Sequence, residues 1–123
     1  MTLVINGMGG LLRKFADLEG EARKGAERGL FALGNNIMTE AKQRTPVDMG
    51  ILRASGYVEA RQDGMVELGF GGAAGAYAVK QHEDLSLNHP GGGQAKFLES
   101  AVDDARPSAA AFVGKFVKEA ITK

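Results

Sequence analysis

The chain has 123 residues, 15 basic and 15 acidic side chains, and no cysteine. This length fits one domain spanning residues 1–123. The absence of cysteine excludes disulfides, thiolate metal sites and a cysteine nucleophile, and the balanced charge lacks the basic footprint of a nucleic-acid reader. No apolar run approaches the roughly 20 residues that cross a bilayer, and the N-terminus lacks the charged start of a signal peptide.

The first twenty residues predict only weak local structure. Residues 2–5, "TLVI", suit either a short strand or part of a flexible N-terminal arm covering residues 1–10. A short helix is expected from Leu11 to Leu18, with Gly20 as its end.

Residues 21–44 give the clearest periodic signal. Apolar side chains recur every three or four residues, which predicts one buried stripe along a long helix. Three glycines interrupt it, each costing about 1 kcal/mol relative to alanine. They are either a tolerated weakness or a place where another helix or subunit approaches closely. The stripe comprises Ala22, Ala26, Leu30, Leu33, Ile37 and Ala41, widened by Phe31 and Met38, and the glycines are Gly25, Gly29 and Gly34.

A short helix and a hairpin are predicted after Pro46, which disfavours helical geometry at Thr45. Asp48 is a good N-cap for a turn of helix over residues 50–55, in which Leu52 would face inward and Arg53 outward. Residues 56–72 are then predicted to form a hairpin, with two alternating strands around "DG" at 63–64, a pair that tolerates positive φ in a tight turn. One face of this hairpin is apolar, so it is expected to pack on one side.

The rest of the chain predicts helices around a polar loop. We expect a helix over residues 76–83, a glycine-rich and flexible loop over 84–94, a helix over 94–105 that buries Phe97, Leu98, Ala101 and Val102, a break at Pro107 and a last helix over 109–121. The fold class predicted is α+β, with a long N-terminal helix and C-terminal helices packed on a small antiparallel sheet.

The loop raises the question of a metal or catalytic site. His82 and His89 are seven residues apart, whereas helical zinc motifs place two histidines one turn apart. Adjacent helical residues point about 100° apart, so His82 and Glu83 do not naturally face one substrate atom. A structural role is favoured, in which His82 bonds a carbonyl near a helix end. The alternative is a small metal-dependent hydrolase using His82, Glu83 or Asp84, and His89.

A second alternative is a nucleic-acid-binding accessory protein. Its contacts would be Arg13, Lys14, Arg23, Lys24 and Arg28. Acidic residues are interleaved with these five, which weakens the patch, and a salt-dependent shift of DNA mobility would be its signature.

Three motifs follow one another in a distinctive order. They are "TPVDMGILRAS" at 45–55, "YAVKQHED" at 77–84 and "KFLESAV" at 96–102, with a "VELGF" strand at 66–70 after the first. This order resembles the tail-completion, or tail-component, family of long-tailed bacteriophages over roughly residues 20–105. One departure is Met49, where many relatives carry Thr or Ser, and it leaves Asp48 as the cap.

The resemblance implies a structural virion protein of the head–tail junction, or neck, made in the host cytoplasm, with no catalysis, no cofactor and no bound metal. It implies a homo-oligomeric ring, six-fold like the tail tube, in contact with other neck, head-completion and tail-terminator proteins. Genomic DNA would pass through without sequence-specific binding, and no membrane is involved. The candidate subunit-interface residues are Asp48, Arg53, Tyr77, His82, Glu83, His89 and Lys96.

Overall fold

The structure is a computed structural model, and it describes residues 2–4, 18–45, 50–61, 64–71, 83 and 96–122. The predicted long helix and the predicted hairpin are both present within these ranges. The elements, in chain order, are β1 (Thr2–Val4), α1 (Gly20–Arg44), α2 (Gly50–Ala54), β2 (Gly56–Ala60), β3 (Val66–Phe70) and α3 (Phe97–Ile121).

The strands form one antiparallel sheet in the order β1-β3-β2. The predicted hairpin pairs Val58 with Leu68, and Gly64 in its turn has a φ of +82°, in the left-handed region that glycine tolerates. Leu3 of β1 pairs with the same Leu68 from the other side. Residues 2–4 are therefore an edge strand of the sheet rather than part of a loose arm. The predicted helix over residues 11–18 falls mostly outside the described residues.

Helices α1 and α3 lie side by side and run in opposite directions, with Gly25 beside Ala120 at one end and Arg44 beside Asp104 at the other. A Cβ atom added at Gly25 would lie 2.7 Å from the Phe116 carbonyl oxygen and 2.8 Å from the Ala120 Cβ. Such separations leave no room for a side chain. Gly25 and Gly29 of α1 thus allow close approach of α3, whereas Gly34 faces Val58 and Val66 of the sheet. Close approach of another helix is therefore the correct interpretation for the first two glycines.

Helix α3 is continuous through Pro107, so the predicted break into two helices is wrong. Proline removes one backbone hydrogen bond and costs roughly 3 kcal/mol inside a helix. Val102 before it and Ala109 and Val113 after it are all buried, and burying each valine stabilises the fold by about 1.5–3 kcal/mol. Packing on both sides of the proline therefore holds one helix together against the local preference.

The core lies between α1, α3 and the inner face of the sheet. The rings of Phe70 on β3 and Phe97 on α3 meet edge to face, with centroids 5.1 Å apart. All of the residues predicted to be buried in the first half of α3 are buried, namely Phe97, Leu98, Ala101 and Val102. Phe31 is a correction, because it is 39% exposed rather than part of the buried stripe. The predicted α+β class is confirmed.

Candidate functional site

The corner between α1 and α2 contains Arg53, the best-defined of the predicted interface residues. Its Nη2 donates to the carbonyl oxygen of Thr45 at 3.0 Å, directly after the last turn of α1. Carbonyl groups at a helix C-terminus lack intrahelical partners and favour cations. The expectation that Arg53 points outward is therefore wrong: the side chain is partly buried and its Nε atom is fully enclosed.

Thr45 is the reason that this corner is compact. Its side chain is completely buried, and its hydroxyl donates to the Ala41 carbonyl oxygen at 2.8 Å. The chain leaves helical geometry at Thr45, with ψ of 141°, as expected for the residue before a proline. Asp48, the predicted cap of α2, lies outside the described residues, and so does the side chain of Leu52.

Lys96 and Glu83 form an ion pair across the base of the predicted glycine-rich loop. Lys96 also contacts Glu99, with its Nζ 3.4 Å from a carboxylate oxygen. The hydrogen bond to Glu83 is the largest cause of a raised pKa for Lys96. Lys96 has a left-handed backbone, with φ of +56°, immediately before α3 begins. Two of the predicted interface residues are thus in direct contact.

The remaining interface candidates, Tyr77, His82 and His89, lie outside the described residues. Within the described ranges, no group of three or more His, Asp or Glu side chains could hold a metal ion. Glu83, the described acidic member of the hypothetical hydrolase site, is engaged by a lysine. A metal there would have to compete with a cation already in place, which weakens the hydrolase alternative.

Two basic side chains near the start of α1 are paired within the same helix, whereas Arg28, a turn further on, makes no ion pair among the described residues. Arg23 contacts Glu27 at 3.3 Å, and Lys24 contacts Glu21 at 3.3 Å. These pairs follow the three- and four-residue spacing that makes neighbours on a helix surface. Because the carboxylates offset the positive charge, this part of the proposed nucleic-acid patch loses its electrostatic basis. Arg13 and Lys14 lie outside the described residues.

A cluster that the sequence did not predict surrounds Arg44, at the end of α1. Its Nη2 contacts Asp104 at 2.7 Å, its Nη1 contacts the Ser100 hydroxyl at 3.0 Å, and its Nε contacts Glu40 at 3.3 Å. The hydrogen bond to Asp104 is the largest cause of a raised pKa for Arg44. Only Glu40, four residues away, was visible as a partner in the sequence. The cluster ties the end of α1 to α3.

Within the described residues, the arrangement is one of helix packing and charge pairing. None of the helices in the described ranges is long and apolar enough to span a bilayer. The chain has no match among curated proteins or among solved structures. A family model does match residues 10–100, and its description is "Bacteriophage HK97-gp10, putative tail-component". That match contains all three sequence motifs apart from the last two residues of the third, and the chain belongs to this family of bacteriophage tail components.

Proposed function

We propose that this tail component is a structural subunit of the head–tail junction, where it forms a six-fold ring that helps to join the tail to the DNA-filled head. The family match over residues 10–100 carries the proposal. It gives the protein a place in the phage virion, and the ring and the joining step are our extension of it.

The distribution of charge supports a ring around DNA. Acidic and basic residues are equal in number, and Arg23, Lys24 and Arg44, towards the two ends of α1, are held by carboxylates from α1 and α3. Phosphate backbones bind proteins mainly through unneutralised lysine and arginine. Pairing at these three positions would weaken the hold of the subunit on DNA that passes.

The antiparallel pair of α1 and α3 supplies a stiff body for such a subunit. Each helix has 25 residues, which corresponds to a length of about 37 Å. A closed ring needs two different patches on each subunit, one for each neighbour. We place part of one patch at the Lys96–Glu83 pair and the loop that it closes. We assign Asp48, Tyr77, His82 and His89 to the same role, but not Arg53, which is held by the Thr45 carbonyl oxygen of its own chain.

The proposal is tested with a phage that lacks the gene. We expect lysates to contain filled heads and finished tails that do not join, and a plasmid copy of the gene to restore joined particles and plaques. Native mass measurement of the complex released from purified particles should give six copies. Joined, infectious particles without the protein would refute the proposed function, as would its absence from purified wild-type particles.

A further inference from the structure

An open groove of about 290 Å³ runs between α1 and α3. Along the helix pair, it lies past the contacts of Gly25 and Gly29 with α3, where α1 carries larger side chains. Its floor is apolar and buried, formed by Leu33, Ile37 and Ala101. An engineered apolar cavity of about 150 Å³ is enough to bind benzene, so the groove has room for a phenyl ring.

The rim of this groove is charged and net negative. Glu40 and Asp104 place two carboxylates there, with Arg44 between them. The side chains of Glu40 and Asp104 are 48% and 69% exposed, whereas that of Arg44 is only 20% exposed. A partner that enters the groove would therefore meet an apolar floor and an acidic margin, and a cation next to its apolar group would be favoured.

The chain itself carries an exposed apolar side chain with a cation beside it, on the side of α1 opposite the groove. Phe31 and Ile121 are the exposed large hydrophobic residues within the described part of the chain. Phe31 and Glu40 are nine residues apart, which is two and a half helical turns, so they lie on opposite sides of the helix. Arg28 is one turn before Phe31 on the same side. It is exposed and makes no ion pair among the described residues.

We propose that Phe31 of one copy inserts into the groove between α1 and α3 of the next copy, with Arg28 facing the acidic rim. The contact joins two different surfaces, so repeating it gives a head-to-tail chain of subunits that can close into a ring. The inference rests on the proposed function, because it names the contact that would build the ring. Phe31 is chosen over Ile121 because it sits near the middle of α1, whereas Ile121 is the last residue of α3.

Engineered cysteines test this contact directly, since the natural chain contains none. Asn35→Cys, at an exposed position one turn after Phe31 on the same side of α1, and Ser108→Cys, on the groove rim, are combined in one gene that complements the deletion phage, so that Phe31 itself is kept. Purified particles are treated with a short bismaleimide and analysed under denaturing conditions. We expect a ladder of covalent oligomers up to the full ring.

Matched controls separate this contact from the alternatives. Each single-cysteine variant should give no ladder, and Ile121→Cys combined with Ser108→Cys should give none either. Dimers from Asn35→Cys alone would indicate two copies meeting symmetrically, and links to a different phage protein would assign the groove to that protein; either outcome overturns the inference. An uncrosslinked protein in joined, infectious particles refutes the contact but leaves the proposed function intact, whereas absence of the protein from wild-type particles refutes the function itself.

Discussion

The close approach of α1 and α3 predicts that replacing a glycine by alanine has different effects on stability at two sites. Gly25→Ala adds a methyl group 2.7 Å from a backbone oxygen and 2.8 Å from Ala120 Cβ, and both neighbours are rigid. Gly114→Ala on α3 adds the same group where no atom lies within 4 Å. Both gain about 1 kcal/mol of helix propensity, but only Gly25→Ala meets an overpacking cost of about 1–3 kcal/mol.

The propensity gain is common to both variants, so their difference in unfolding free energy isolates the packing cost of about 1–3 kcal/mol. For 123 residues, an unfolding entropy of about 2.1 cal/mol/K per residue means that 1 kcal/mol shifts Tm by about 4 °C. Gly114→Ala should therefore melt above wild type, and Gly25→Ala about 4–12 °C below Gly114→Ala. Thermal unfolding followed by circular dichroism measures this. Equal rises in Tm for both variants would refute the close packing of the helices.

Four further variants, at three residues, examine other contacts by the same melting assay. Arg53→Ala should destabilise the protein by about 1.5 kcal/mol, because a bond from a charged donor to the carbonyl that follows α1 is lost; an unchanged Tm would mean that the side chain is merely exposed. Tyr57→Phe should cost about 0.5–1.5 kcal/mol through its hydrogen bond to Glu67, and Tyr57→Ala should cost more, since the ring also covers the neighbouring strand. Lys96→Met should lower Tm at neutral pH, since pairing with Glu83 raises the lysine pKa from 10.5. The stabilisation by this ion pair is complete below pH 10.5 and is lost as pH rises through the raised pKa of Lys96. A difference in Tm between Lys96→Met and wild type that persists at higher pH would therefore exclude the ion pair as its source.

The sequence predicted those elements whose signal is local. The stripe of α1 and the two strands of the hairpin were predicted from residues that are close together in the sequence, and α1, β2 and β3 lie within the expected ranges. The prediction of a helix break at Pro107 was wrong, because it relied on the local preference of proline, whereas buried contacts with α1 hold the helix together. The pairing of Leu3 with Leu68 was not predicted from the sequence, because a strand of three residues carries too little pattern to identify a distant partner strand.

The candidate surfaces were harder to predict than the fold. Arg53 looked exposed because nothing in the sequence shows that the chain turns back on the C-terminus of α1. Phe31 looked buried because its spacing adjoins the apolar stripe, yet the helix turns it away from the core. The groove depends on the separation of two helices that are about 60 residues apart in the chain, as the Arg44–Asp104 contact shows. Such features need the tertiary arrangement itself.

The first strand has a practical consequence for anyone who trims or tags the N-terminus. β1 covers one side of β3, the central strand whose Val66, Leu68 and Phe70 are buried. Deleting residues 1–4 would turn β3 into a sheet edge, and an uncovered apolar edge is a template for unwanted pairing between chains. If a purified shortened protein precipitates, we would attribute this to pairing through the exposed edge of β3 rather than to loss of the hydrophobic core. Affinity tags are better placed at the C-terminus.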